Sequence, residues 1–481
     1  MGDRAFMSAP SLTSTHTPRI TLEELPELLI GANTVVPTMH GPMRYINFDN
    51  AASTPTFRPI ADAVMEFLKW YSNVHRGQGF KSQLSSWTFE RSRDRVAQFI
   101  GADLSNHVVI FTKNSTEAIN KLAHRYPFRA DGIILTTLME HHSNELPWRR
   151  AGHVEHVELE DDGTVSKEDF LNKMNRYGSR VQLVAITGAS NVTGYINDLD
   201  FFAREAHRNG AEILVDGAQL VPHRPVNMKT RDREHRIDYL VFSGHKVYAP
   251  FGVGVLVAQK RIFEQGPPDT VGGGVVDMVT LEDAYWTDLP DKEEAGTPDI
   301  TGVVALGKAI ELIESVGWDN IIRHESELTA YALTKLKQIP NLTLYGDTNP
   351  SNAANRLGVM SFNIRGLHHS LVSAILSYEG GIGVRSGCFC AHMYVQTLLR
   401  IEGDEQKAVQ KKILARDRSE IPGTVRISFG IYNTQAEIDR LIEMLKKVSA
   451  GDYSKDYIVD REKGEYYPTK FSVDFSQYYA L

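Results

Sequence analysis

Apolar residues in this chain fall into two patterns, short unbroken runs and longer stretches in which they recur every three or four positions. The runs at 107–112, 132–137, 181–187, 212–216 and 238–243 read as buried strands, and the stretches at 87–100 and 198–209 as amphipathic helices. Their alternation from Tyr45 to about residue 305 predicts an α/β fold, a mostly parallel sheet flanked by helices in a large domain spanning 45–305. Past Gly302 the pattern changes to a helix-rich stretch reaching about 338, strands near 357–364 and 424–429, and a helix from Gln435 to about 448. That predicts a smaller C-terminal α+β domain over 306–450. Residues 1–44 carry Ser, Thr and Pro with weak periodicity and read as an N-terminal arm. The tail, 451–481, is rich in Tyr and Phe, and reads as a segment that docks on a neighbour or stays loose.

Length and charge narrow the class. A chain of 481 residues with 42% hydrophobic content can bury more than one core. The net charge of −8 and the lack of a long basic run argue against nucleic acid or an anionic membrane as partner. No apolar stretch approaches the length that crosses a bilayer, and residues 1–6 form neither an apolar signal core nor a myristoylation motif, so the expected location is cytoplasmic. The two cysteines, Cys388 and Cys390, stand one residue apart and form no disulfide framework.

Candidate chemistry lies at the ends of the strand runs. The run 212–216 ends in Asp216, followed by Gly217, Ala218 and Gln219; the run 238–243 leads into Ser243, Gly244, His245 and Lys246. In open α/β sheets ligands collect at the carboxyl ends of strands, so both motifs land on one rim. Pyridoxal phosphate (PLP) needs a lysine amine to hold its aldehyde as a Schiff base and a carboxylate to keep its pyridine nitrogen protonated. Lys246 and Asp216 fit those two tasks. Taken singly, each is accounted for as a surface lysine or a turn aspartate; the spacing and the flanking residues favour the cofactor. Ser115 and Thr116 open a helix after the run 107–112, where free N–H groups and hydroxyls suit a phosphate, although N-capping alone would also place Ser and Thr there. His141, in Met139-Glu140-His141-His142 after another strand, is placed to stack on a pyridine ring.

Asn73 to Gly77, Ser115 to Asn120, Met139 to His142, Ser190 to Gly194, Asp216 to Gln219, Ser243 to Lys246, Glu294 to Pro298 and Val384 to Gly387 stand in the order seen in cysteine desulfurases. The chain resembles the SufS-like branch of the class V, fold-type I PLP enzymes from about residue 45 to 448. The resemblance implies a homodimer in which Lys246 forms the Schiff base and performs the proton transfers with His141 assisting, Asp216 pairs with the pyridine nitrogen, and Gln219 and Asn191 face the ring oxygen, Asn191 contacting the substrate as well. It further implies that Ser243, His245 and Thr116 hold the phosphate, with Thr297 reaching it from the partner subunit. Arg426 matches the arginine that grips the substrate α-carboxylate, a task suited to a planar bidentate donor; Arg385 lies beside the cysteine loop and is assigned to the substrate as well. Cys390 stands where the family's cysteine takes the sulfur of L-cysteine as a persulfide, for delivery to an acceptor protein. A free thiol has a pKa of about 8.5, and Arg385 or a protonated His392 is expected to help it ionise.

Two features depart from the family. Cys388 stands where a histidine is common, giving a Cys-Phe-Cys run similar to that of molybdenum cofactor sulfurases, and a relay or resolving role is open to it. If this segment were extended, Cys388, Cys390 and His392 would share one face, which suits a metal; no fourth ligand is evident, and no metal site is expected. Between Cys390 and Arg426 lies a long charged segment, 401–420, expected to form a surface helix that gates the site, receives an acceptor or has no role. Other class V reactions (selenocysteine lysis, β-elimination, epimerisation) and a non-catalytic sulfur-carrier relative stand as alternatives to L-cysteine desulfuration.

Overall fold

A computed structural model describes residues 19–75, 77–229 and 232–480; residues 1–18 of the N-terminal arm, Arg76 of the Asn73 motif, residues 230–231 and Leu481 lie outside the described residues. The strand runs become a seven-stranded sheet of β1 (His107–Thr112), β2 (Ile133–Thr137), β3 (His153–Val157), β4 (Val181–Thr187), β5 (Glu212–Asp216), β6 (Tyr239–Ser243) and β7 (Gly254–Gln259), in the order β1-β7-β6-β5-β4-β2-β3. Strands β2 to β6 run parallel, and β7 lies antiparallel between β6 and β1. The fold is therefore α/β with a mostly parallel sheet, as the pattern predicts. Central strands read as unbroken apolar runs because helices cover both faces. Ile213, Leu214 and Val215 of β5 are fully buried, and burial of each such side chain stabilises by about 1.5–3 kcal/mol.

Four helices of this region matter to the site: α1 (Phe80–Phe99), α2 (Ser115–Arg125), α3 (Leu199–Arg208) and, after the sheet, α4 (Ile300–Val316). Asn114 caps α2 by accepting from Glu117 N, and Asp198 caps α3 by accepting from Phe201 N. Helix α1 begins seven residues before the stretch that periodicity picks out, because its first turns bury Ser82 and Ser85 instead of apolar side chains.

A second core surrounds a four-stranded antiparallel sheet of β8 (Leu342–Tyr345), β9 (Val359–Ile364), β10 (Arg385–Gly387) and β11 (Thr424–Ser428), ordered β8-β9-β11-β10. It is backed by α5 (Trp318–Leu336), α6 (His369–Gly380) and α9 (Gln435–Ala450); α7 (His392–Leu398) and α8 (Gly403–Leu414) lie between Cys390 and β11. The expected charged helix is α8, with only Val409 buried. Two terminal segments differ from expectation. Of the N-terminal arm, residues 19–44 are packed down: Leu25 and Leu29 enter the large core, and Val35 and Val36 pair with Arg44 and Met43. The tail forms a hairpin, β12 (Tyr457–Asp460) with β13 (Glu465–Pro468), docked on its own chain, where Tyr457 Oη donates to the buried Glu379 at 3.0 Å. One of its aromatic residues, Tyr457, thus meets a polar anchor on α6, a pairing that local sequence does not reveal.

Candidate active site

Parallel β2 and β4 are neighbours although β3 leaves on one side and β5 on the other, and at such a reversal of strand order a crevice opens beyond the carboxyl ends. A cavity of about 430 Å³ lies there, lined by residues that follow β1, β2, β4, β5 and β6 and by the loop after β10. Ser115, Thr116, His141, Asn191, Asp216, Gln219, Ser243, His245, Lys246, Arg385, Cys390 and Arg426 all line it. Thr297 does not: it is exposed on the loop before α4.

On the sheet side, Asp216 ends β5 fully inside, accepting one hydrogen bond from Ala218 N at 3.0 Å. Burial raises its pKa, and the nearby Lys246 charge opposes the rise. Lys246 closes the short turn after β6, and its Nζ has no hydrogen-bond or ion-pair partner among the described residues. Burial pulls its pKa down to about 8, against the attraction of Asp216. Burial also brings His141 to about 3, so its ring is neutral at physiological pH. Its Nδ1 accepts from Ser143 N at 3.1 Å, leaving Nε2 as the N–H. Gln219 Nε2 donates to Ala51 O at 2.7 Å.

The hydroxyls form a cup at the start of α2. Ser115 N donates to Ser243 Oγ at 2.9 Å, the Ser243 and Ser115 hydroxyls meet at 3.1 Å, and Thr116 and Ser143 hydroxyls at 2.7 Å. These donors bond chiefly to one another around a helix N-terminus, the chemistry a dianionic phosphate takes over. His245, whose pKa burial lowers to about 4, borders the cup. The donor set thus fits PLP: a cup for phosphate, a buried carboxylate for the ring nitrogen, and an unpartnered amine for the aldehyde.

Across the cavity, Arg426 on β11 is buried and donates from Nη2 to Asp49 Oδ1 at 2.7 Å and from Nη1 to Asn191 O at 3.0 Å, while its Nε has no partner. Asp49 also faces Arg385 Nε at 3.6 Å, so one carboxylate bridges both arginines. The Phe389 ring lies 4.8 Å from the Arg426 guanidinium carbon, and Phe389 O accepts from Asn191 Nδ2 at 2.9 Å.

Phe389 and Cys390 both have positive φ, 51° and 54°, so the loop turns sharply and lifts Cys390 into the open while Cys388 stays half-buried. This corrects the extended geometry on which a shared Cys388, Cys390 and His392 face depends. Cys388 Sγ donates to Pro422 O at 3.5 Å, and burial pushes its thiol up to about 11. Burial also lowers the pKa of His392, whose ring stacks on His142 with Nδ1 and Nε2 3.0 Å apart. A cationic His392 beside Cys390 is therefore disfavoured at neutral pH, contrary to expectation.

Two contributors escape sequence reasoning. Asp49 ends the run at 45–49 that marks the start of the core, and only the pairing with β11 reveals its carboxylate at Arg426. Glu140 lies inside the motif that supplied His141, yet it is fully buried, accepting from Thr137 Oγ1, Thr187 N and Asn144 Nδ2. Burial raises its pKa to about 8, against the pull of those three hydrogen bonds, and the side chain ties the end of β2 to β4.

The aminotransferase class-V family matches residues 46–441. A probable cysteine desulfurase of Halalkalibacterium halodurans is 36% identical over 416 residues, which is 84% of this chain and 93% of that one. A cysteine desulfurase of Haloferax volcanii is 33% identical over 433 residues, 87% of this chain and 93% of its own. Among solved structures, the apo cysteine desulfurase of Thermococcus onnurineus superposes with a TM-score of 0.76 at 33% identity, covering 89% of this chain and 98% of that one. The Escherichia coli cysteine desulfurase CsdA in its S-sulfonic acid form gives 0.70 at 27% identity, over 85% and 96%.

Proposed function

Because the chain belongs to the aminotransferase class-V family, we propose that it is a PLP-dependent cysteine desulfurase, which converts L-cysteine to L-alanine and carries the sulfur on Cys390. The observation that supports this most directly is one cavity lined by Lys246, Asp216 and His141 on one side and by Arg426 and Cys390 on the other. Bound there, PLP supplies the electron sink that allows bonds at the substrate α-carbon and β-carbon to be remade. Ser115, Thr116, Ser243 and His245 would hold its phosphate, Asp216 its ring nitrogen, and Gln219 and Asn191 its ring oxygen. His141 would border its ring as a neutral imidazole.

Arg426 grips the α-carboxylate; its unpartnered Nε and two Nη groups provide the fork, and Asp49 and Arg385 tune the approach. Lys246 moves the proton at the α-carbon, a task for which an amine pKa drawn to about 8 is well matched. The Cys390 thiol attacks the substrate sulfur: the S–Cβ bond breaks, an S–S bond forms, and the electron pair left on carbon is protonated. L-cysteine and the thiol thus become L-alanine and a Cys390 persulfide, without an external oxidant. An acceptor protein removes the outer sulfur. The sharp turn at Phe389 and Cys390 supports that step, since it presents the sulfur at the mouth.

The reading includes a homodimer. Trp70, Tyr71, Phe80 and Trp87 are exposed on one side, and Val271, Met278, Val279, Leu281 and Tyr285 around the hairpin that precedes the Thr297 loop, more apolar surface than a lone subunit is expected to leave wet. It also includes a cytoplasmic location, where free thiols persist. Among the described residues no helix is long and apolar enough to cross a membrane. The test is alanine released from L-cysteine, with PLP and reductant, by wild type and Cys390→Ala. Alanine from wild type with loss of at least about 10²-fold in the variant is expected, as for removal of a nucleophile. Equal rates would exclude Cys390, and no alanine from PLP-loaded wild type would exclude desulfuration.

A further inference from the structure

The family match ends at residue 441, before the tail hairpin, yet that hairpin reaches back toward the cysteine loop. It lies along α6 and is held at both ends. Near its base, Tyr457 Oη and Ser454 N donate to Glu379 at the C-terminal end of α6, at 3.0 and 3.1 Å. Toward its second strand, the Tyr466 ring sits 5.7 Å from that of His368, which caps the N-terminus of α6. Its tip, residues 461–464, grips the end of the 401–420 segment. Arg418 N donates to Arg461 O at 2.6 Å, Arg418 Nη1 donates to Glu462 O at 2.9 Å, and Arg461 forms an ion pair with Asp417.

From that grip the chain runs directly to the cysteines. His368 and His369 Nε2 both face Ile421 O, at 3.2 and 3.0 Å. Pro422 O accepts from Cys388 Sγ at 3.5 Å. Gly423 packs so closely that an added Cβ would lie 2.8 Å from Gly387 Cα, and β11 with Arg426 follows at once. We infer that the C-terminal hairpin is a clamp that positions the cysteine loop, acting through residues 417–423 to keep Cys388 enclosed and the Cys390 turn set against Arg426. Arg418 and Gly464 are its positioning residues: Gly464 has φ +73°, and a Cβ there would lie 2.6 Å from Arg418 O. With the clamp shut, Cys388 stays a protonated thiol and cannot attack a persulfide on its neighbour. With it open, attack on the inner sulfur would give a Cys388–Cys390 disulfide and release hydrogen sulfide, ending turnover until reduction.

The clamp can be tested apart from the desulfurase reading, on which only its consequence for turnover rests. Gly464→Val pushes the tip off Arg418 and leaves the Glu379 anchor in place; a chain ended after Asp452 removes the whole hairpin. In both, site-resolved iodoacetamide labelling at pH 8 is expected to speed up at Cys388 by at least about tenfold, since each pKa unit recovered toward an ordinary thiol multiplies the thiolate tenfold. Cys390 labelling, already that of an exposed thiol, changes little. Alanine formation falls in kcat with KM for L-cysteine held, because Arg426 is untouched, and sulfide release per alanine rises. Cys388 labelling at the wild-type rate in Gly464→Val overturns the clamp, whatever the truncated chain does. Faster labelling in a protein that never makes alanine upholds the clamp and removes the desulfurase reading.

Discussion

Lys246 has one property that burial sets and pH can read. Its amine is drawn to about 8 by the cavity wall, where an exposed lysine titrates near 10.4, and only the neutral amine attacks an aldehyde. Cofactor uptake by the cofactor-free protein should therefore accelerate about tenfold per pH unit below 8 and level above it. Absorbance stopped-flow across pH 6–10 checks this; a rate still climbing through pH 9 would mean that the lysine is not desolvated as the geometry requires. His141, neutral throughout that range, adds no step to the profile. The residues proposed for this chemistry were legible as cavity candidates because each sits where a strand stops, so local sequence alone points to Asp216 and Lys246. Asp49 was not legible: its partner Arg426 is 377 residues away, and no local pattern encodes that pairing.

Elements are joined as well as built, and the join between the two cores rests on Glu325 of α5. It is buried, meets His223 Nδ1 at 2.9 Å, forms an ion pair with Arg224 and accepts from Gly358 N at 2.9 Å just before β9. Burial alone would raise its pKa, but those partners hold it down at about 2, against an ordinary 4.5. A depressed carboxylate pKa contributes stability that is present above about 4.5 and lost as pH falls toward 2. Glu325→Gln should thus cost about 3 kcal/mol at pH 7, the scale for breaking a buried pair, and the gap to wild type should close below pH 4.5. Urea unfolding at stepped pH measures it, and an equal gap at pH 7 and pH 3 would refute the assignment. Strand elements at 107–112, 181–187 and 212–216 were readable to the residue because their burial is continuous. Helix α1 was read short because buried Ser82 and Ser85 mimic a polar surface, and the tail hairpin was unreadable because the carboxylate that anchors it, Glu379, lies on α6.

For the whole molecule, the position of Thr297 is the informative one. Every other predicted site residue lines the cavity of its own chain, whereas Thr297 is exposed on a loop that follows a hairpin of exposed apolar residues, Leu281 among them, fully exposed. A second copy covering that hairpin would bury the apolar surface and present Thr297 to the hydroxyl cup of the other subunit. Subunit mixing turns this into a measurement. Lys246→Ala homodimers should be inactive, and Thr297→Ala homodimers should retain PLP about tenfold more weakly, the scale of one hydrogen bond to a charged group. In a hybrid of the two, one site combines an intact Lys246 from one chain with an intact Thr297 from the other. That site should recover wild-type PLP retention, giving a doubly tagged, purified hybrid half the wild-type activity at limiting cofactor. Hybrids that hold PLP no better than Thr297→Ala homodimers would place Thr297 at its own chain's site or outside both, and with it would fall the reason for the site to need two subunits.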